Sequence, residues 1–290
     1  MTRSSRTLDA PRFASLALSA LALATGCGDN LSYTPTVEGD GAADGATVLE
    51  CIPDLDGRIG SAELVPAIGA AVDYLASAAG EARKVDVTGS VDAEGRRRWN
   101  LSVEASTDRT VSLRASSLVG KWFAGSFPRG TFAAPLDVDA SLQGIYSHDD
   151  EALWLHGVAS TEEAPTEGET LLVYEFAIPL YRFPLEVGKA WSAVGVISAG
   201  TLRGLPYVGT DHYEITDDAS GMLLLQNVVF TQVHRLRTNV RLEPSAGVVT
   251  TTRQVGFVFE CFGEVARLTS VRDEPADDFT MASEVRRLAF

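Results

Sequence analysis

The stretch Gln232-Val-His-Arg-Leu-Arg-Thr-Asn-Val-Arg-Leu242, the turn Pro244-Ser-Ala-Gly247 and the run on to Gly256-Phe-Val-Phe259 decide the fold. Apolar and polar residues alternate on both sides of the turn. A period of two puts alternate side chains on opposite faces of an extended chain, and a helix would need a period near 3.6. Two such runs joined by a short Pro/Gly turn predict an antiparallel hairpin.

The same pattern extends outward. Downstream, Glu264 to Val271 is a further strand, and Phe279 to Leu288 reads as a closing strand in preference to a terminal helix. Upstream, the strand candidates are Leu171–Ile178, Ser192–Ile197, Tyr207–Ile215 and Gly221–Val229, with Ala152–Val158 before them. Lys84–Gly89 alternates, and Trp99, Leu101 and Val103 share one face, continued by Val111 and Leu113. Turns are expected at Asp92–Gly95, Thr166–Gly168 and Asp217–Gly221. Only Ser61 to about Gly69 reads as helix, limited by Pro66, while Ala70–Ser77 fits a helix continuation or an edge strand. The expectation is a mainly β fold: one large curved antiparallel sheet, half-barrel or barrel-like, with one short N-terminal helix.

The chain of 290 residues is 45% hydrophobic and 22% charged, a balance that sets aside disordered, collagenous and multi-span membrane classes. Its 39 acidic against 24 basic side chains give a formal charge of −15. A nucleic-acid backbone is therefore not an expected partner.

The N-terminus reads as an address. Arg3, Arg6 and Arg12 precede an apolar stretch, Phe13–Ala24, too short to cross a bilayer as a helix. The sequence Leu23-Ala24-Thr25-Gly26-Cys27 resembles a bacterial lipobox, in which the cysteine takes a diacylglycerol and becomes the mature N-terminus. The alternative is ordinary cleavage after Ala22-Leu23-Ala24. Residues 1–26 are thus expected to be a lipoprotein signal peptide, 27–48 an acidic tether, 49–69 a loop and short helix, and 70–290 the β domain. Removing residues 1–26, with three Arg and one Asp, shifts the formal charge from −15 to −17. The expected location is exported and membrane-anchored, with the outer membrane favoured because Gly28 follows Cys27. Lipidation of Cys27 leaves Cys51 and Cys261 as one pair for a disulfide in an oxidising compartment.

The most specific chemical signal is Ile52-Pro-Asp54-Leu-Asp56-Gly57-Arg58-Ile59-Gly-Ser-Ala-Glu63, which resembles an EF-hand loop. Asp54 and Asp56 take ligand positions three and five, Arg58 the backbone-carbonyl position seven, and Glu63 the bidentate position twelve. Gly57 takes the sharp turn. Ile52 stands where an aspartate is usual, so calcium is expected to bind weakly if it binds. The other reading is an Asp-Gly turn capping a short helix.

No catalytic motif is found. The four histidines lack zinc spacing, no nucleophile elbow occurs, and acid pairs such as Asp149-Asp150 and Glu162-Glu163 read as solvated turns.

Arg182-Phe183-Pro184-Leu185-Glu-Val-Gly188-Lys-Ala-Trp191 resembles the FPL-x-x-G-x-x-W signature of exported bacterial β-sheet proteins of unknown function. Phe257-Val-Phe259-Glu-Cys261-Phe-Gly263-Glu-Val265 resembles their later strand–turn–strand, and Val228–Val233 fits the strand before it. With the lipobox, these motifs resemble a group of uncharacterised bacterial lipoproteins. The resemblance implies a LolA-like half-barrel holding an acyl chain or other apolar ligand, with Trp154, Phe183, Trp191 and Phe259 lining or filling its concavity. The expected function is a non-catalytic binding module. The alternatives are a scaffold that binds another envelope protein and, last, a secreted hydrolase.

Overall fold

The hairpin read from the sequence is present, and the rest of the sheet grows from it. In the computed structural model, which describes residues 51–289, Leu242 pairs with Thr250 and His234 with Val258. The first strands in chain order are β1 (Arg58–Ile59), β2 (Ala71–Ala76), β3 (Arg83–Lys84), β4 (Ser90–Val91), β5 (Arg97–Asn100) and β6 (Arg109–Arg114). Next come β7 (Ser116–Ser117), β8 (Phe132–Pro135), β9 (Leu142–His148), β10 (Ala152–Ser160), β11 (Leu171–Arg182) and β12 (Leu185–Glu186). The last six are β13 (Ala190–Leu202), β14 (Leu205–Leu224), β15 (Val229–Pro244), β16 (Thr250–Phe259), β17 (Gly263–Ser270) and β18 (Met281–Leu288).

Sixteen strands form one sheet, whose main path runs β6-β2-β18-β17-β16-β15-β14-β13-β11-β10-β9-β8-β7. The two ends of that path, β6 and β7, are separated in the chain by Ala115 alone, so the curved sheet is nearly closed. Closure removes most of the edge that an open sheet would present to other chains.

Opposite faces of the wall build separate cores. On β16, Val258 belongs to an interior cluster with Ile178, Leu180, Tyr213, Ile215 and Leu236. Its neighbours Phe257 and Phe259 belong to a second cluster with Trp99, Leu268 and Val285, as a period of two requires. Residues 83–101 strap this second core. Trp99 Nε1 donates to Val87 O at 3.2 Å, and Arg235 lies over the Trp99 ring while donating to the same carbonyl at 2.7 Å.

Several expectations change. The Ser61–Gly69 helix is a single 3-10 turn, Ser61–Leu64. Pro66 lacks an N–H donor and biases Val65 to an extended conformation, so the helix cannot propagate. Ala71–Ala76 is a strand, resolving the ambiguity there. Asp217–Gly221 is not a turn; β14 runs through it with a bulge between Asp217 and Ala219. Its acids have partners in the fold: Asp217 meets His234, and Asp218 meets Arg235 and Arg237. Val103 does not share the burial of Trp99 and Leu101, because β5 ends at Asn100.

Candidate functional site

Residues 51–64 close one end of the barrel. Arg58–Ile59 pairs with Leu185–Glu186 as a separate two-stranded ribbon, and Ile59 and Leu64 drive into the interior core beside Leu185. Cys51 is disulfide-bonded to Cys261, with Cα atoms 5.5 Å apart. The Cys261 N–H donates to Glu63 O at 2.9 Å. The loop with the EF-hand pattern is thus the plug of the barrel.

Within that plug, Asp54 Oδ1 accepts the Asp56 N–H at 3.0 Å and Asp56 Oδ1 accepts the Arg58 N–H at 2.8 Å. Gly57 sits at φ +86°, a left-handed conformation that favours glycine. The third carboxylate facing them is Glu260, at the end of β16. Carboxylate oxygens of Asp54, Asp56 and Glu260 lie within 4.8 Å of one another. Glu260 is buried and accepts the Leu55 N–H at 2.8 Å. Glu63 does not join them, because its Oε2 accepts the Gly60 N–H at 2.7 Å. Burial raises the Glu63 carboxyl, the Gly60 N–H opposes the rise, and Glu260, Asp54 and Asp56 add to it. Arg58 donates through its backbone to Asp56, and its side chain reaches Glu186 at 3.5 Å. Three convergent oxygens from hard carboxylates suit a hard cation such as calcium. The helix that would follow an EF-hand loop is reduced to one 3-10 turn. Glu260 was missed because it stands 204 positions after Asp56.

Of the four aromatic candidates, Phe183 and Trp191 pack against the interior core, and Phe259 belongs to the second core. Trp154 is half-buried, and its Nε1 donates to Asp149 Oδ2 at 2.8 Å. Phe183 packs at the plug end, its ring 5.2 Å from His148. Trp191 donates to Pro179 O at 2.7 Å. Phe259 lies in the other core, its ring 4.9 Å from Phe230.

The barrel interior carries a buried ion network. Glu264 binds Arg267 and accepts from Arg286 Nη2 at 3.1 Å, with all three side chains buried. The space beside them, lined by Tyr181, Tyr213, Gln254, Glu264 and Arg267, has a volume of about 20 Å³, room for roughly one water. A larger cleft of about 580 Å³ lies among the strand-end loops around Asp137–Leu142, Ser160–Thr170 and Arg203, and its lining residues Leu142 and Leu202 pack against the interior core.

Two histidines make catalytic-looking contacts, each with half of a triad. His156 Nε2 lies 2.8 Å from Ser147 Oγ. Burial lowers its imidazole, and the cation Arg129 lowers it further, whereas a triad needs an orienting carboxylate there. His234 Nδ1 lies 2.7 Å from Asp217 Oδ2 with both side chains buried. Burial raises Asp217 and the His234 contact opposes the rise. This second pair is sealed away from substrate. Comparison with protein-family models, with curated protein sequences and with solved structures gives no match.

Proposed function

We propose that the protein is an exported, non-catalytic binding module of the cell envelope, anchored through a lipid on Cys27, with the outer membrane as its location. Its partner is another envelope protein, bound on the outside of the barrel. The supporting observation is the ion network of Glu264, Arg267 and Arg286 buried in the interior. An acyl chain needs a continuous apolar space of several hundred cubic ångströms, whereas the space lined by Tyr181, Tyr213 and Glu264 offers about 20 Å³ beside a buried ion network. The scaffold reading is thereby favoured over carriage of an apolar ligand. Crosslinking in intact cells followed by purification tests it, and one dominant protein partner is expected. Native mass spectrometry that finds a lipid-sized mass retained by residues 28–290 without detergent would overturn it in favour of carriage.

A second reading concerns the plug. Asp54, Asp56 and Glu260 converge within 4.8 Å, and no basic side chain among the described residues pairs with Glu260. We propose calcium as a structural ion there, joining the loop to the end of β16. Its test is calcium-dependent melting, developed in the Discussion.

A further inference from the structure

The plugged end of the barrel exposes large aliphatic side chains that the described fold leaves uncovered. Ile52 is 73% exposed, Val65 53% and Ile68 50%. Val187, 43% exposed, follows directly on β12, the strand paired with β1 of the plug. Isolated apolar residues on a surface need no explanation; here Ile52, Val65 and Ile68 lie within residues 52–68, and Val187 flanks the strand paired with that segment. The local pairing explains why they stay outside. Ile59 and Leu64 take the inward positions of the plug, and the disulfide at Cys51 holds the start of the segment against β16.

The chain enters the described fold at Cys51, on this same end. Residues 28–50 separate it from Cys27, a length that reaches at most about 80 Å even fully extended. A lipid on Cys27 therefore tethers the barrel by its plugged end. We propose that this end is a membrane-docking face, on which Ile52, Val65, Ile68 and Val187 enter the headgroup–acyl boundary of a bilayer. The proposal rests on the lipid-anchor reading and adds an orientation to it: plug towards the membrane, the cleft near Asp137–Leu142 and Ser160–Thr170 away from it.

The charge of this end selects the bilayer. Asp54 and Asp56 are exposed on the plug, and Asp150 accepts a hydrogen bond from Ser61 of the same segment at 3.4 Å. Arg58 and Lys189, two cations of this end, both lie against Glu186. A face of this sign, on a chain of formal charge −17 after residue 26, is repelled by anionic headgroups and suits a zwitterionic surface. Binding by these side chains alone is weak and becomes effective as the second of two signals beside the acyl anchor.

The test uses residues 28–290, which lack the acyl-bearing cysteine, floated with phosphatidylcholine vesicles. Weak co-flotation is expected, falling about tenfold in the Ile52→Glu/Ile68→Glu double variant. Phe176→Glu, which alters an exposed apolar residue on β11, is expected to float like the parent. Melting of each variant checks that it is folded. No flotation of the parent, equal flotation of the double variant, or a crosslink from position 52 or 68 to a protein in cells overturns the docking face. The mass of the N-terminal peptide from membrane-purified protein reports lipid on Cys27 independently, so failure of the anchor and failure of the face are distinguishable.

Discussion

Tyr174 on β11 donates its hydroxyl proton to Asp211 Oδ2 on β14 at 2.7 Å, reaching across the intervening strand β13. The reach matters because β11 and β13 share one ladder pair, Leu171 with Thr201. Side chains also bridge this seam: this bond, the 3.1 Å contact between the Tyr174 and Tyr213 hydroxyls, and the Trp191 bond to Pro179. Gly195 makes the crossing possible, since a Cβ there would lie 2.7 Å from the Tyr174 ring.

Tyr174→Phe is expected to destabilise by about 1–3 kcal/mol, because it leaves a buried carboxyl without its donor. Gly195→Ala is expected to cost a similar amount, about 1–3 kcal/mol, by displacing the ring. Urea denaturation measures both. Wild-type midpoints in both variants would mean that the seam is held elsewhere.

Burial pushes the Asp211 carboxyl up to about 6, with the Tyr174 hydroxyl opposing the rise. A folded-state value above the unfolded one makes a contribution that is full below about pH 4 and is lost as pH rises through about 6. The rise corresponds to at most about 3 kcal/mol. Asp211→Asn should therefore melt higher than wild type at pH 8, with the gap closing by pH 4. A gap that does not change across this range removes Asp211 as its source.

The disulfide closes a loop with a sequence separation of 210. Chain entropy gives an upper figure of about 5 kcal/mol for such a loop. Reduction, or Cys51→Ser/Cys261→Ser together, should lower the denaturation midpoint clearly and free the plug to proteolysis. Unchanged protease resistance after reduction would show that Ile59 and Leu64 hold the plug unaided.

For calcium, the geometry separates two glutamates that the loop pattern confuses. Millimolar calcium is expected to raise the melting temperature, because an ion bound to the native state alone stabilises it. Asp56→Ala and Glu260→Gln should abolish the increment. Glu63→Gln should keep it, since Glu63 caps Gly60. Loss of the increment in Glu63→Gln but not in Glu260→Gln would restore the EF-hand assignment. No increment in wild type would leave a metal-free Asp-Gly turn.

Glu264 holds two buried guanidinium groups, those of Arg267 and Arg286. Glu264→Gln removes the charge that compensates them and is expected to cost about 3–5 kcal/mol. Chemical denaturation at neutral pH provides the measurement. A loss below 1 kcal/mol would mean that solvent reaches the network.

How far the sequence was legible depended on the range of the interactions involved. The hairpin 232–259 was readable because alternation is a local consequence of one face being buried. Leu142–His148 and Phe132–Pro135 were missed. The second is buried at every position, so it carries no alternation to read. Asp217–Gly221 was misread as a turn because acidic and small residues in a row ordinarily mark solvent. Here His234, Arg235 and Arg237, distant in sequence, pair with those acids inside the sheet.

The candidate site divides in the same way. Asp54 and Asp56 were legible from spacing with Gly57, because adjacent loop residues share a turn. The displacement of Glu63 by Glu260 was not, since it depends on the end of β16 arriving beside the plug. By itself the sequence determined a β chain with a period of two, strongly acidic, and a single cysteine pair within residues 51–289. The tertiary structure decided that the sheet curls until β6 and β7 nearly meet, that ion pairs and aromatic rings are buried in its interior, and which carboxylates converge at its closed end. Alternation specifies which face of each strand is buried. Curvature and closure arise from strand pairings separated by tens to hundreds of residues, and no local pattern encodes them.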